Sequence, residues 1–156
     1  KYVDEGYEVY IFIDFGGGYG GSPVDHLRFL GYNPLEVFTG RKATDEAKYR
    51  GKSDEIWGLM KDAIRKGLCL PEPKMKYAAD LKKQLTQREY GHTIVGHKIH
   101  LEPKQAMKDR GIPSPDIADA LAMTYAEVVA SSSVLGSNIK KKQQVESEYD
   151  PHEQDW

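Results

Sequence analysis

Three aspartates in this sequence lie where carboxylates could do chemistry together. Asp14 ends the apolar run EVYIFID, and Asp116 and Asp119 lie three residues apart in SPDIADALAMTYA. Carboxylates that converge from a strand end and a helix start form an oxygen-rich pocket suited to Mg²⁺ or Mn²⁺. Without a cation, their like charges repel and force protonation. Two such ions can activate water and stabilise the leaving oxygen of a phosphodiester, so the three residues predict metal-assisted hydrolysis.

Each aspartate also has a purely structural interpretation. Asp116 falls in the first turn of a helix, where the macrodipole stabilises an acid in any case. Asp119 lies one turn deeper among alanines and a leucine, where a structural role is less natural. Asp14 is also compatible with a solvated strand end.

The elements that must position Asp14 lie in the first forty residues. EVYIFID, residues 8 to 14, is typical of a strand buried on both faces. A glycine-dense turn follows, then a helix that starts at Ser22 and is stopped by Gly31, and then the strand LEVFTG at residues 35 to 40. This order is long enough for one parallel crossover, in which sites gather at the carboxyl ends of the strands.

The elements that must position the other two aspartates come later. Residues 52 to 67 predict a helix, MKYAADLKKQL predicts a smaller one, and TIVGHKIHLE predicts paired strands that turn near Gly96. The apolar face expected for the first of these helices consists of Ile56, Leu59, Met60, Ala63 and Ile64. Alternating strands and helices indicate an α/β domain over residues 1 to 130, and residues 131 to 156 read as a polar, flexible tail.

The final helix carries Asp116 and Asp119 on one edge. Ser114 is expected to cap it, and Pro115 suits its first position. The positions expected to face the core are Ala118, Leu121, Ala122, Tyr125 and Val129.

Composition narrows the class of protein. The chain has 156 residues and a net charge of −2, which argues against coating nucleic acid by bulk electrostatics but allows a local basic track. Its single cysteine, Cys69, excludes an internal disulfide framework and suits a reducing compartment. No signal peptide or membrane-spanning run is visible, so we expect a soluble intracellular protein without a membrane partner.

Two other motifs suggest phosphate binding but lack the necessary context. Gly16, Gly18 and Gly21 fit a G-x-G-x-x-G pattern after a strand, which leaves dinucleotide binding as an alternative. Against it, Asp14 would face the phosphates, and Glu36 stands at the start of its strand instead of the end, where a ribose-binding acid belongs. The sequence GKS at residues 51 to 53 lacks the upstream glycine and strand of a P-loop. Four of the five histidines, His26, His92, His97 and His100, show no spacing typical of a zinc site.

Over residues 8 to 130, the chain resembles the C-terminal nuclease domain of the large terminase subunit of tailed bacteriophages. The segments that carry the resemblance are IDFGGGYGGSPVDHLRFLG, DEIWGLMKDAIRKG, LEPKQAMKDRG and SPDIADALAMTYA. The resemblance implies an RNase H-like mixed sheet flanked by helices, and an endonuclease that cuts double-stranded DNA with two divalent ions. It implies that Asp14 is the family's second carboxylate, Asp119 its third, and Asp116 a neighbour able to act as an alternative ligand.

The chain departs from the family in one respect. The family's first carboxylate ends an upstream strand, whereas this chain begins at KYVDEGYEVY, in the connection before the fourth strand. We therefore expect an N-terminally incomplete sheet, and Asp4 does not replace the absent ligand. This departure leaves a second hypothesis open, a non-catalytic remnant that binds DNA or the portal. A nucleotide-binding α/β domain is the third.

Basic residues offer contacts to DNA phosphates that would be independent of base sequence and weakened by salt. The residues expected to form such a track are Lys98, Lys104, Lys108 and Arg110, and Arg41 and Lys42 follow the second strand. The resemblance further implies a portal protein, a small terminase subunit and an ATPase domain as partners, in the cytoplasm of an infected host.

Overall fold

The computed structural model describes residues 8–16 and 20–129. Residues 1–7, 17–19 and 130–156 lie outside that part, and with them lie Asp4, Gly18 and the predicted tail. The boundary predicted near residue 130 therefore stays a prediction. Within the described ranges, no helix is both long and apolar enough to cross a membrane.

A parallel pair of strands joined through a helix begins the fold. β1 (Phe12–Asp14) is followed by α1 (Gly21–Phe29) and β2 (Leu35–Val37). The register pairs Phe12 with Leu35 and Asp14 with Val37, which confirms the predicted parallel crossover. Gly31 ends the helical region with a φ of +83°, a conformation that favours glycine.

The second pair of strands is antiparallel. β3 (Tyr90–His92) pairs with β4 (Ile99–Leu101), and Gly96 in the connecting turn has a φ of +78°. The predicted hairpin is confirmed, although its first strand lies slightly earlier in the sequence than expected. The described residues thus form two separate two-stranded sheets, one parallel and one antiparallel, within a mixed α/β fold.

Four further helices pack around these strands. They are α2 (Lys52–Arg65), α3 (Ala78–Gln87), α4 (Lys104–Asp109) and α5 (Asp116–Met123). Both α2 and α3 pack against α5, while α2 also contacts β4 and α5 contacts β1. The buried core consists of Val37, Ile56, Trp57, Met60, Leu81, Leu101, Ala118, Ala122 and Ala126.

Several sequence predictions need correction in detail. The final helix ends at Met123, because the chain continues in tighter i→i+3 turns that still bring Ala126 into the core. Val129 therefore lies outside the helix. β1 is half-buried instead of covered on both faces, because Phe12 and Ile13 are only partly buried and Asp14 is exposed. Leu59 is 40% exposed although the helical periodicity placed it on the apolar face of α2.

Candidate functional site

The three aspartates singled out in the sequence line one cavity of about 250 Å³. Asp14 reaches it from the end of β1, and Asp116 and Asp119 reach it from the first turn of α5. The rest of the lining is formed by Thr39, Ser53, Ile56, Trp57, Lys104 and Met123. Hard oxygen donors and one ammonium group therefore face an apolar wall in this cavity, which we call the acidic cavity.

Asp14 is exposed and is oriented by the glycine turn that follows it. Its Oδ1 accepts a hydrogen bond from the backbone N–H of Gly16 at 2.9 Å and one from the Thr39 hydroxyl at 3.4 Å. A Cβ on Gly16 would lie 3.0 Å from that Oδ1, so glycine permits this close approach. Oδ2 accepts no hydrogen bond from any residue that the structure describes, which leaves it available to a ligand.

The glycine turn also packs tightly on the end of β1. A Cβ on Gly20 would lie only 2.7 Å from the carbonyl oxygen of Asp14 and from the Cα of Phe15. The described part of the turn therefore shapes the end of the strand around Asp14. Glu36, the acid considered for a ribose contact, instead binds Arg28 at 2.7 Å.

Asp119 is held by three donors. Its Oδ1 accepts hydrogen bonds from the Trp57 indole N–H at 2.8 Å and from Arg88 at 3.0 Å. Its Oδ2 lies 2.6 Å from the Lys104 ammonium nitrogen. The Arg88 side chain is only 6% exposed, and the guanidinium carbon lies 4.9 Å from the centre of the Trp57 ring. Burial lowers the pKa of Arg88, and the neighbouring Asp119 carboxylate opposes that shift.

Asp116 is exposed, and the residue expected to cap its helix contacts its side chain instead. The Ser114 hydroxyl donates to Asp116 Oδ1 at 2.6 Å and makes no capping bond to the backbone. Gln84 of α3 performs that task, since its Oε1 accepts from the backbone N–H groups of Ile117 and Ala118 at 2.9 and 3.0 Å. The prediction that Ser114 caps α5 was therefore wrong.

Sequence reasoning missed the groups that orient Asp119. Arg88 stands in the polar stretch TQREYG and gives no local signal of burial. Trp57 does carry one, because a buried indole N–H usually finds an acceptor, but the pattern does not show which one. Gln84 likewise reaches α5 across more than thirty residues of sequence.

The four basic residues expected to form a DNA track have different surroundings. Lys104 lines the acidic cavity, and Lys108 lies one turn further along α4, exposed. Arg110 binds both oxygens of Glu102, at 2.8 and 2.6 Å, and Glu89 at 3.1 Å. Its hydrogen bond is the main cause that lowers the pKa of Glu102. Lys98 lies in the turn region of the β3–β4 hairpin, so the track stays a prediction.

The three aspartates do not form a preorganised metal-binding site in the described part of the chain. Among residues 8–16 and 20–129, no three His, Cys, Asp or Glu side chains lie close enough to hold a metal ion between them. The three aspartates share a cavity, but Asp119 is already balanced by Lys104 and Arg88. The assignment of all three as metal ligands stays a prediction.

Comparison with known proteins identifies the fold. No protein-family model matches the chain, and no curated protein matches it either. Among solved structures, the nuclease domain of the large terminase subunit gp2 of bacterial virus Sf6 matches with a TM-score of 0.59 and 20% identity. That match covers 83% of this chain and 69% of the other. The chain has the fold of a terminase nuclease domain.

Further structures of the Sf6 terminase nuclease domain give the same result. A point variant with manganese matches at a TM-score of 0.60 and 19% identity, over 82% of this chain and 69% of the other. The same variant with manganese and beta-thujaplicinol matches at a TM-score of 0.61 and 21% identity. That match covers 83% of this chain and 69% of the other. The terminase nuclease fold expected from the resemblance is thereby confirmed.

Proposed function

We propose that this chain is a metal-dependent endonuclease domain of a viral DNA-packaging terminase, which hydrolyses phosphodiester bonds of double-stranded DNA. The observation that carries the proposal is the meeting of Asp14, Asp116 and Asp119 in one cavity of a chain with the terminase nuclease fold. In this role the domain would act with an ATPase domain, a small terminase subunit and a portal protein in the host cytoplasm.

The chemistry of the donors fits Mg²⁺ or Mn²⁺. The second carboxylate oxygens of Asp14 and Asp116 accept no hydrogen bond from a described residue, and Thr39 and Ser53, which carry hydroxyls, line the same cavity. Oxygen-only sets of this kind suit hard divalent cations. When bound, such an ion generates a nucleophile from water and stabilises charge on phosphodiester oxygens.

The chain's own residues prepare this site. The N–H of Gly16 fixes the direction of the Asp14 carboxylate, while Trp57 and Arg88 fix that of Asp119. Lys104 occupies the Asp119 oxygen that a cation would need, so it must move when an ion binds there. Released from Asp119, its ammonium group would be free to bind a phosphate oxygen of DNA.

Plasmid cleavage tests the proposal. We expect the chain to nick supercoiled plasmid with Mg²⁺ or Mn²⁺, and Asp14→Asn and Asp119→Asn to lower the rate by roughly two orders of magnitude or more. Asp80→Asn is a matched control, because Asp80 is an exposed acid in the first turn of α3. Equal rates for the wild type, both site variants and the control would contradict the catalytic assignment.

A non-catalytic remnant that binds DNA or the portal is the second candidate. It is favoured by the ion pairs that balance Asp119 and by the lack of a three-ligand cluster in the described residues. Titration with Mn²⁺, followed by electron paramagnetic resonance, separates the two candidates. Mn²⁺ binding that Asp14→Asn abolishes supports the nuclease. Tight DNA binding with neither Mn²⁺ binding nor cleavage supports the remnant.

A further inference from the structure

A second cavity of about 360 Å³ adjoins the acidic cavity, and Thr39 and Ser53 line both. We call it the basic cavity, because four of its lining residues are basic and two are acidic. The basic residues are Arg41, Lys42, Arg50 and Arg88, and the acidic ones are Asp54 and Glu102. The two shared lining residues place the cavities side by side.

The two acidic residues of the basic cavity are already neutralised from within the fold. Asp54 is 3% exposed, accepts the backbone N–H of Leu101 at 2.8 Å and lies 3.4 Å from Arg50. Glu102 is bound through both oxygens by Arg110. The charges of Asp54 and Arg50 thus cancel within the cavity, and Arg88 pairs with Asp119. The positive charge that the cavity offers to a ligand is that of Arg41 and Lys42.

Arg41 is the basic group with its donors most available. Its guanidinium stacks over the Phe38 ring at 3.7 Å, which holds the plane in place. No carboxylate pairs with it among the residues that the structure describes. Within the described part of the chain, Lys42 forms one ion pair, with Glu46 at 3.5 Å. Those side chains are 83% and 55% exposed, so water screens the pair.

Helix α2 adds to the positive potential. It is fourteen residues long and begins beside this cavity, since its N-cap residue Gly51 and Ser53 of its first turn both line it. The N-terminal end of a helix carries a partial positive charge. Cationic side chains and the helix end thus face the same space.

We propose that the basic cavity binds a backbone phosphate of the nucleic acid strand whose neighbouring phosphodiester enters the acidic cavity. The assignment of the strand rests on the proposed function, whereas the affinity for phosphate rests on the basic cavity alone. The ligand is a phosphodiester contacted through Arg41 and Lys42, with Phe38 holding the Arg41 guanidinium plane. Because no base need be contacted, binding is independent of base sequence.

DNA affinity measured without divalent ions tests the subsite separately from cleavage. The probe is a fluorescently labelled duplex, followed by anisotropy in EDTA over a series of NaCl concentrations. The test variant is the double substitution Arg41→Gln with Lys42→Gln. Arg65→Gln with Lys66→Gln is the matched control, because this exposed Arg–Lys pair lies at the opposite end of α2, about 20 Å away along the axis.

We expect the test pair to weaken binding by about tenfold or more and to lower the salt slope by roughly one for each lost phosphate contact. The control pair should change affinity by less than about twofold, since it removes the same charge away from the cavity. Arg41→Lys keeps the charge but loses the guanidinium plane that stacks on Phe38, so it should lose part of the affinity and keep the salt slope. Equal losses for both pairs, or an unchanged salt slope, would overturn the subsite.

A competition arm distinguishes DNA from a free nucleotide. ATP should displace the duplex no better than inorganic phosphate at the same ionic strength. Loss of ATP binding in the test pair, with DNA binding retained, would overturn the proposal in favour of a nucleotide site.

If plasmid cleavage fails but the test pair weakens DNA binding, the nuclease proposal falls and the subsite stands. If the chain cleaves DNA and the test pair has no effect on binding, the subsite falls and the nuclease proposal stands.

Discussion

Helices α2 and α5 both begin with two acidic residues in the first turn, and the two pairs are used in opposite ways. Asp54 and Glu55 of α2 are 3% and 4% exposed, and backbone N–H groups and basic side chains bind them. Asp116 of α5 is exposed, and the Asp119 side chain is 21% exposed at the acidic cavity. A helix start favours acids in either case, so only the partners separate a structural carboxylate from one available to a ligand.

Glu55 is an example of a structural carboxylate. Its oxygens accept from the backbone N–H groups of Thr44 and Asp45 at 3.0 and 2.9 Å and from the Lys52 ammonium at 2.9 Å. Burial alone would raise its pKa, but these three donors lower it to about 2. Asp119 shares features of both carboxylates. Its Oδ1 is bound by buried groups, whereas the only described residue that binds its Oδ2 is the half-exposed Lys104.

The largest expected effect comes from removing the structural carboxylate. Glu55→Ala should lower the free energy of unfolding by about 3 to 5 kcal/mol, because two N–H groups and the mostly buried Lys52 lose their acceptor. Asp116→Ala, also an acid in a first turn, should cost less than about 1 kcal/mol. Urea unfolding measures both. Similar losses in the two variants would remove the distinction between the pairs.

The pH dependence of stability gives the next effect. The fold lowers the pKa of the Glu55 carboxyl from its ordinary value of 4.5 to about 2. The ionised carboxylate therefore stabilises the folded state, and this contribution is fully present above pH 4.5. That contribution, on the order of 3 kcal/mol, is lost as the pH falls from about 4.5 to about 2. The free energy of unfolding of Glu55→Gln, measured over the same range, should fall less steeply than that of the wild type. Parallel curves would contradict the assignment.

Asp119 should give an intermediate loss of stability. Asp119→Ala should cost about 2 kcal/mol, because the buried Arg88 loses its carboxylate partner. Asp119→Asn keeps an oxygen that can accept from Trp57 and Arg88, so it should cost less than about 1 kcal/mol. Urea unfolding of the two variants measures both free energies. An equal loss in both variants would mean that the hydrogen bonds from Trp57 and Arg88 to Oδ1 do not contribute to the free energy of unfolding.

The smallest effect is expected at Lys104. Its side chain is 50% exposed, so Lys104→Ala should change the free energy of unfolding by less than about 1 kcal/mol. The substitution frees Asp119 Oδ2, and we expect Mn²⁺ binding to tighten by a few fold, as measured by paramagnetic resonance. Lys108→Ala is the control on the same helix. Weaker Mn²⁺ binding in Lys104→Ala would show that the ammonium group does not compete with the ion.

The sequence predicted the elements whose signals are local. The apolar run before Asp14, the glycine turn and the following strand were sufficient to predict the parallel pair, and residues 52 to 67 nearly bounded α2. The helix α4 was not predicted, because it is a short polar segment of six residues. The apolar pattern continues beyond Met123, yet the chain leaves the α-helix there and still brings Ala126 into the core.

The candidate site was predictable only in its carboxylates. Their spacing and their places at a strand end and a helix start are visible in the sequence. The groups that fix Asp119 come from α2 and from the segment after α3, so no local pattern links them to it. The burial of Asp54 and Glu55 had no signal either, since charged residues at a helix start usually face water.

The bond between Trp57 and Asp119 also makes the site observable. An indole whose N–H lies 2.8 Å from a carboxylate oxygen is a fluorophore in direct contact with the acidic cavity. An ion that draws Asp119 away alters the surroundings of the indole and therefore the wavelength and intensity of its fluorescence. Occupancy of the cavity can then be followed optically in the unlabelled protein, with Trp57→Phe as the blank for the other tryptophan, Trp156.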